Sequence, residues 1–288
     1  MSSFSNIAIV INAASGSTSD ISEEICALFK NRGYDNAQSH YIIPEKLSET
    51  FETVIGQGVD LIVTFGGDGT SLCAASFAGK AQVPLIVLPG GTMNILPKHL
   101  YGSTDWKDVL NIALEQTQPR WVPCGLLNDQ KFLVAAILGT IVRVGLSREL
   151  AREGQLIEAT KNIVATVNET DIADSLSYTL GSEAIPREAN LLQLSCPGMN
   201  PLSTEDNKFE VAAVNVDSYG ELSALGLTAV MDQWRENDAV FSDFAKEVRV
   251  QGNGSIDVLL DGEHMKLSLP LQAKFEPKGA FILCPPPD

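Results

Sequence analysis

The chain has 288 residues, 44% hydrophobic and 19% charged, with a formal net charge of −16. That length suits two domains or one large one, and the charge disfavours nucleic acid and gives no general attraction to anionic membranes. No apolar run reaches the roughly 18 residues of a membrane span, and the start, MSSFSNIAIV, passes straight into a strand without a basic leader, so a cytoplasmic protein without signal peptide is expected.

The apolar, β-branched run 6–11 reads as a first strand, followed by Asn12-Ala13-Ala14-Ser15-Gly16-Ser17. Residues 22–32 place Ile25, Leu28 and Phe29 at helical spacing, and Gly33 is suited to close that helix. A strand at 38–43 and a helix at 45–57 come next. Residues 61–65 are a short buried-strand run that breaks into Gly66-Gly67-Asp68-Gly69-Thr70, with a helix expected from Ser71 to Ala78. Strand, glycine turn and helix start together form an anion site, because glycines admit a close ligand and the first helical amides point at it. By itself the pentapeptide also suits a tight surface turn. A carboxylate among such amides makes sense with Mg²⁺ between Asp68 and a phosphate. A second buried run, 83–88, ends in Pro89-Gly90-Gly91-Thr92-Met93-Asn94. Two successive strands with glycine-rich ends put both loops at one edge of a parallel sheet, where open α/β sheets bind ligands. A helix at 105–116 completes the strand–helix rhythm.

Near Arg120-Trp121-Val122-Pro123 the pattern changes to closely spaced strands at 131–138, 190–196, 209–216, 255–260, 264–269, 273–277 and 280–283, interrupted by a helix at 155–168. The fold class expected is α/β plus β: a mostly parallel α/β sheet domain, then an antiparallel, sandwich-like β domain. The five cysteines (Cys26, Cys73, Cys124, Cys196, Cys284) and three histidines are scattered, so no zinc site is expected. Asp261-Gly262 between two strand runs is a strong hairpin signal.

GGDGT followed about twenty residues later by PGGTMN resembles the catalytic domain shared by diacylglycerol, sphingosine, ceramide and bacterial soluble lipid kinases. Asn12, Ser15 and Gly16 match the family's Asn-Pro-x-Ser-Gly, with Ala13 in place of the proline. The resemblance implies an ATP- and Mg²⁺-dependent kinase acting on a hydroxyl of a lipid or lipid-like alcohol. It implies a nucleotide site of Asn12, Ser15, Gly16, Gly66, Gly67, Asp68, Gly69, Thr70, Gly91, Thr92 and Asn94, with Asp68 also serving catalysis through Mg²⁺. Asp261-Gly262-Glu263 falls where relatives carry Asp-Gly-Glu, which makes Asp261 the base and Glu263 its companion. Asp206 matches a residue that holds a structural Mg²⁺ in some relatives.

The last strands of the family return to the first domain, which gives 1–122 with 268–288 as the nucleotide domain and 123–267 as the acceptor domain. The active site is then expected in the cleft between them. Ser17, Ile95 and Ile141 depart from the family pattern at basic or acidic positions, and the acceptor half matches less well than the nucleotide half. NAD or a soluble polyol as acceptor, or a nucleotide- or lipid-binding protein without catalysis, are the rival readings. Transient membrane contact and a homodimer stay open.

Overall fold

The computed structural model describes residues 4–12, 21–116, 118–139, 175–197, 205–215 and 237–286. The chain divides into two compact units, one of residues 1–123 with 277–288 and the other of residues 124–276.

In the first unit, β1 (Ile7–Asn12), β3 (Leu61–Gly66) and β4 (Leu85–Pro89) are buried along their whole lengths. Such continuous apolar runs suit strands covered on both faces. With β2 (Ala37–Ile42) they form parallel neighbours in the order β2-β1-β3-β4, and β2 has the more exposed pattern. Helix α1 (Ile21–Asn31) buries Ile25 and Phe29. Gly33, at φ 86°, lets the chain leave that helix while Tyr34 N–H still bonds Phe29 O at 3.0 Å. Helix α2 (Leu47–Gly56) buries Phe51 and Val54 on one face. Helices α3 (Asp68–Ala81), α4 (Ile95–Tyr101) and α5 (Trp106–Glu115) follow.

Strand β5 (Arg120–Leu127) begins in the first unit and ends in the second. Strand β16 (Leu271–Ile282) runs the other way along the sequence, and its end joins β4 in parallel through Ile282 and Leu85.

In the second unit, β12 (Val240–Ala245), β11 (Phe209–Val214), β10 (Leu191–Ser195), β7 (Ala135–Leu138), β14 (Ser255–Leu260) and β15 (Glu263–Ser268) form a six-stranded sheet in that order. Every neighbouring pair in it is antiparallel. The start of β16 pairs with β13 (Glu247–Gln251), which pairs with β8 (Leu176–Leu180), and β8 with β9 (Arg187–Ala189). Tyr178, Val248, Val250 and Ala273 from these strands share one apolar core with Leu138, Leu194, Val211 and Val258 from the six-stranded sheet. Alternate residues of both sheets meet there, as in a β-sandwich. The fold is therefore the α/β plus β class read from the sequence.

The elements differ from the expected ones in several places. Helix α3 starts at Asp68 rather than Ser71, so Asp68, Gly69 and Thr70 are its first turn and not a loop. Helix α4 was hidden by Pro97, which is tolerated because it lies in the first turn, where no intrahelical amide is needed. The run 131–138 is two strands, β6 (Gln130–Phe132) and β7, broken at Leu133 and Val134. Conversely, 273–277 and 280–283 are parts of the single strand β16, which passes through Pro277 and Gly279. Strands β5, β8, β9, β12 and β13 were not expected. The helix expected at 155–168, together with Ser15, Gly16, Ser17 and Ile141, lies outside the described residues.

The β5–β6 hairpin depends on one missing side chain. A Cβ on Gly125 would lie 2.0 Å from Cζ of Phe132, whose ring is fully buried and stacked on Phe209 at 5.6 Å. Gly125→Ala is expected to destabilise the protein by about 1–3 kcal/mol, as overpacking of a filled core does. Denaturant unfolding of the variant against the parent measures this.

Candidate active site

The two glycine loops meet. Gly90 N–H donates to Gly66 O at 2.9 Å, extending the β3–β4 ladder past its last pair. A Cβ on Gly91 would lie 2.5 Å from Gly67 Cα, so the backbones pass closer than any side chain allows. Asn94 fastens the second loop on itself: Gly91 N–H donates to Asn94 Oδ1 and Asn94 Nδ2 donates to Gly91 O, both at 2.8 Å. Its left-handed backbone, φ 49°, suits asparagine. Asn94 thus shapes the Gly91 turn from inside. Thr92 is exposed in the same turn.

Helix α3 begins at the end of β3 with Gly67 as its N-cap and no side chain capping it. The first helical amide bond is Ser71 N–H to Gly67 O at 3.0 Å, so the amides of Asp68, Gly69 and Thr70 precede the intrahelical ladder. Thr70 folds back over Gly66, where a Cβ would lie 2.7 Å from Thr70 Cβ. In that pose Thr70 Oγ1 accepts from Asn12 Nδ2 at 2.9 Å, and both side chains are buried. The sequence-predicted Asn12 and Thr70, fifty-eight residues apart, are thus in contact. The Asp68 carboxylate accepts from Leu96 N–H at 3.3 Å, which ties the start of α4 to the start of α3. Asp68 is half-buried, at the end of the helix dipole that favours an anion.

In the second unit, Asp261 and Gly262 are the two-residue turn joining β14 to β15, with φ of 47° and 88°. Both values suit the mirror-image turn that matches strand twist. The Asp261 side chain points back to the break between β6 and β7. Oδ2 accepts from Leu133 N–H at 2.7 Å, and Oδ1 accepts from Val134 and Ala135 N–H at 2.8 and 2.9 Å. This explains the broken strand: the amides at the break are turned to a carboxylate rather than a neighbouring strand. Asp261 is only 7% exposed. Burial pushes its carboxyl above the ordinary aspartate range, against the three amides, which favour the charged form. Glu263 opens β15 and is exposed.

The amides of residues 133–135 and of Leu96 are partners that side-chain reading of the sequence missed. No glycine or proline marks the 133–134 break, so nothing in the pattern announces it. Asp206 is exposed in the turn before β11, beside Glu205, which pairs with Lys208 at 3.2 Å. Among the described residues no three His, Cys, Asp or Glu side chains gather as a metal cage. A lone carboxylate sharing Mg²⁺ with substrate phosphates needs no such cage, so Asp68 fits that mode.

Residues 6–125 match the diacylglycerol kinase catalytic domain. Two crystal structures from Bacillus anthracis are similar throughout. A candidate diacylglycerol kinase is 17% identical with a TM-score of 0.76, covering 98% of each chain. A diacylglycerol kinase is 15% identical with a TM-score of 0.70, covering 99% of each. At these identities they establish the fold. An uncharacterised Synechocystis sp. protein is 21% identical over 264 residues, and the chain spans 59% of its length. The match to a diacylglycerol kinase catalytic domain over residues 6–125 thus lies on the stretch that holds both loops just described.

Proposed function

We propose that the chain is an ATP- and Mg²⁺-dependent kinase that phosphorylates a hydroxyl of a lipid or lipid-like alcohol. The observation that carries the reading is the joining of the GGDGT and PGGTMN loops at the uncapped start of α3, with Asn12 locked to Thr70. The amides of Gly67, Asp68, Gly69 and Thr70, with the Gly91–Thr92 turn, bind the nucleotide phosphates, and Asn94 keeps that turn in shape. Ser15 and Gly16 belong to the same proposed site. Asp68 would hold Mg²⁺, which supplies charge neutralisation at the phosphates when bound. Asp261 accepts the acceptor's hydroxyl proton, with Glu263 orienting the hydroxyl. Phosphoryl transfer asks little more of a protein than this positioning. Asp206 with neighbouring carbonyls is proposed for a structural Mg²⁺.

The test is incubation with γ-labelled ATP, Mg²⁺ and a panel of diacylglycerol, monoacylglycerol, sphingosine, ceramide, undecaprenol and NAD. A labelled lipid is the expected result, and label on NAD alone would move the acceptor class. Asp68→Asn, still folded by circular dichroism, is expected to lower turnover by about two orders of magnitude or more, as loss of an electrostatic group aimed at the transition state does. Turnover like the parent's would remove Asp68 from the site. The three amide bonds of Asp261 favour a second reading, in which that carboxylate is a brace and the chain binds nucleotide without transfer. ATP binding by calorimetry with no labelled product is its signature.

A further inference from the structure

Among the described residues one buried side-chain oxygen or nitrogen has no hydrogen-bond partner, and it belongs to Thr64. Thr64 is fully buried in β3, two residues before Gly66. A strand covered on both faces favours valine or isoleucine, and a buried hydroxyl that bonds to nothing costs stability. Valine has the same branched shape without that cost. A threonine at this position therefore calls for a use.

Its place in the sheet points to one. Side chains alternate along a strand, so Thr64 and Gly66 share one face of β3. Thr64 is paired with Val10 of β1 and Val87 of β4, so Asn12, two residues after Val10, falls on that face too. Thr70 reaches the same face from α3: its Oγ1 would stand 2.8 Å from a Cβ on Gly66. The neighbours Val10, Ile62 and Val87 are apolar and fully buried. Asn12, Thr64 and Thr70 are thus buried polar side chains on an otherwise apolar wall, where β3 runs into the GGDGT loop.

A hydroxyl oxygen accepts two hydrogen bonds and gives one proton. Asn12 Nδ2 fills one acceptor site of Thr70 Oγ1 at 2.9 Å. Thr70 keeps a second acceptor site and its own proton, and Thr64 has a proton with no acceptor. If both acceptor sites of Thr70 are filled from within the protein, its proton is turned outward, to the side where the first amides of α3 are free. An anionic oxygen is the natural acceptor there, and bonds in such a chain strengthen one another.

We infer that Thr64 is a positioning residue of the nucleotide site. When a phosphate oxygen takes the Thr70 proton, Thr70 settles toward β3 and the Thr64 hydroxyl donates to its second acceptor site. Thr64 then strengthens the bound state alone, while its unpartnered hydroxyl weakens the free one. The inference rests on the nucleotide reading of this site and deepens it.

The test compares Thr64→Val and Thr64→Ser in the full chain. ATP affinity is read by calorimetric titration with Mg²⁺ present, and stability by the melting temperature without nucleotide. Thr64→Val is expected to melt about 1–3 °C above the parent, because an unpartnered hydroxyl is gone. It should nevertheless bind ATP about three- to tenfold more weakly, the scale of one hydrogen bond. Thr64→Ser keeps the hydroxyl and loses a buried methyl. It should melt below the parent and bind ATP within about twofold of it. Affinity and stability thus move in opposite directions in both variants, which a packing role alone does not produce. Parent-like ATP affinity in Thr64→Val, or affinity and melting temperature falling together in it, overturns the role of Thr64 and leaves the nucleotide site standing. A parent chain that binds no ATP overturns the nucleotide reading itself, and the role of Thr64 with it.

Discussion

Replacing Asp261 by asparagine is expected to lower turnover by about 10²- to 10⁴-fold, the range for removing a general base. It should also weaken the fold. The asparagine Oδ1 can still accept from Val134 and Ala135, but its amide group would face the Leu133 N–H, donor against donor. A buried unpaired amide costs about 1–3 kcal/mol. Measuring turnover at a temperature well below the variant's own melting point separates the two effects. A variant that melts early but turns over like the parent would make Asp261 a brace alone. The pH dependence adds a second readout. Burial raises the folded carboxyl above its ordinary value of 3.8. The stability that protonation of this group contributes is therefore fully present below the ordinary value and lost as pH rises through the raised one. Turnover runs the other way. It requires the carboxylate, so it falls as pH drops through the raised value, and the acid limb of kcat/KM should sit above the position an exposed aspartate would give it.

Gly91→Ala is expected to reduce nucleotide affinity and kcat/KM together by about a hundredfold, the scale for displacing a positioning group by roughly 1 Å. The added carbon would meet Gly67 Cα at 2.5 Å, backbone against backbone, with no flexible side chain to yield. The loops must separate. Gly67→Ala is the internal control, since its Cβ would stand 3.7 Å from Gly91 Cα, an ordinary contact. Calorimetric titration of ATP into both variants reads the asymmetry. Equal affinities would mean that the close approach of the loops is not what builds the nucleotide site.

The first unit was the more legible half because its strands are continuous apolar runs that end in glycine. Ile62, Val63, Ile86 and Val87 sit in strands covered on both faces, and periodicity reports burial of that kind directly. The Asp261-Gly262 turn was equally plain, because few other sequences accept two positive φ values. What stayed hidden has a common cause. The break at Leu133 and Val134 is made by a carboxylate more than a hundred residues away, and apolar side chains continue through it. The start of α3 was read late because glycines look like loop, although glycine at a first helical turn costs little. Strand β13 alternates over only five residues and β12 exposes Phe241 and Ser242 side by side, so their apolar runs are too thin to stand out. Of the proposed site, the pattern showed residue types and loop ends. The Asn12–Thr70 bond and the amides holding Asp261 required three dimensions.

The interleaving of the two units in sequence has a consequence for how the chain is made. The first unit consists of residues 1–123 and 277–288, so a ribosome releases most of it long before its last strand exists. Until then the flank of β4 that receives Ile282, and the Leu85 carbonyl that accepts from Leu283 N–H at 2.9 Å, have no partner of their own. An open strand edge is a template for strangers. The second unit, residues 124–276, is contiguous and can complete its sandwich first. Its folding presents residues 277–282 as a strand already begun, since β16 is one continuous strand from Leu271 to Ile282. Closure of the nascent sheet by the returning residues 277–283 thus follows synthesis of the second unit, and it is then that the exposed edge disappears.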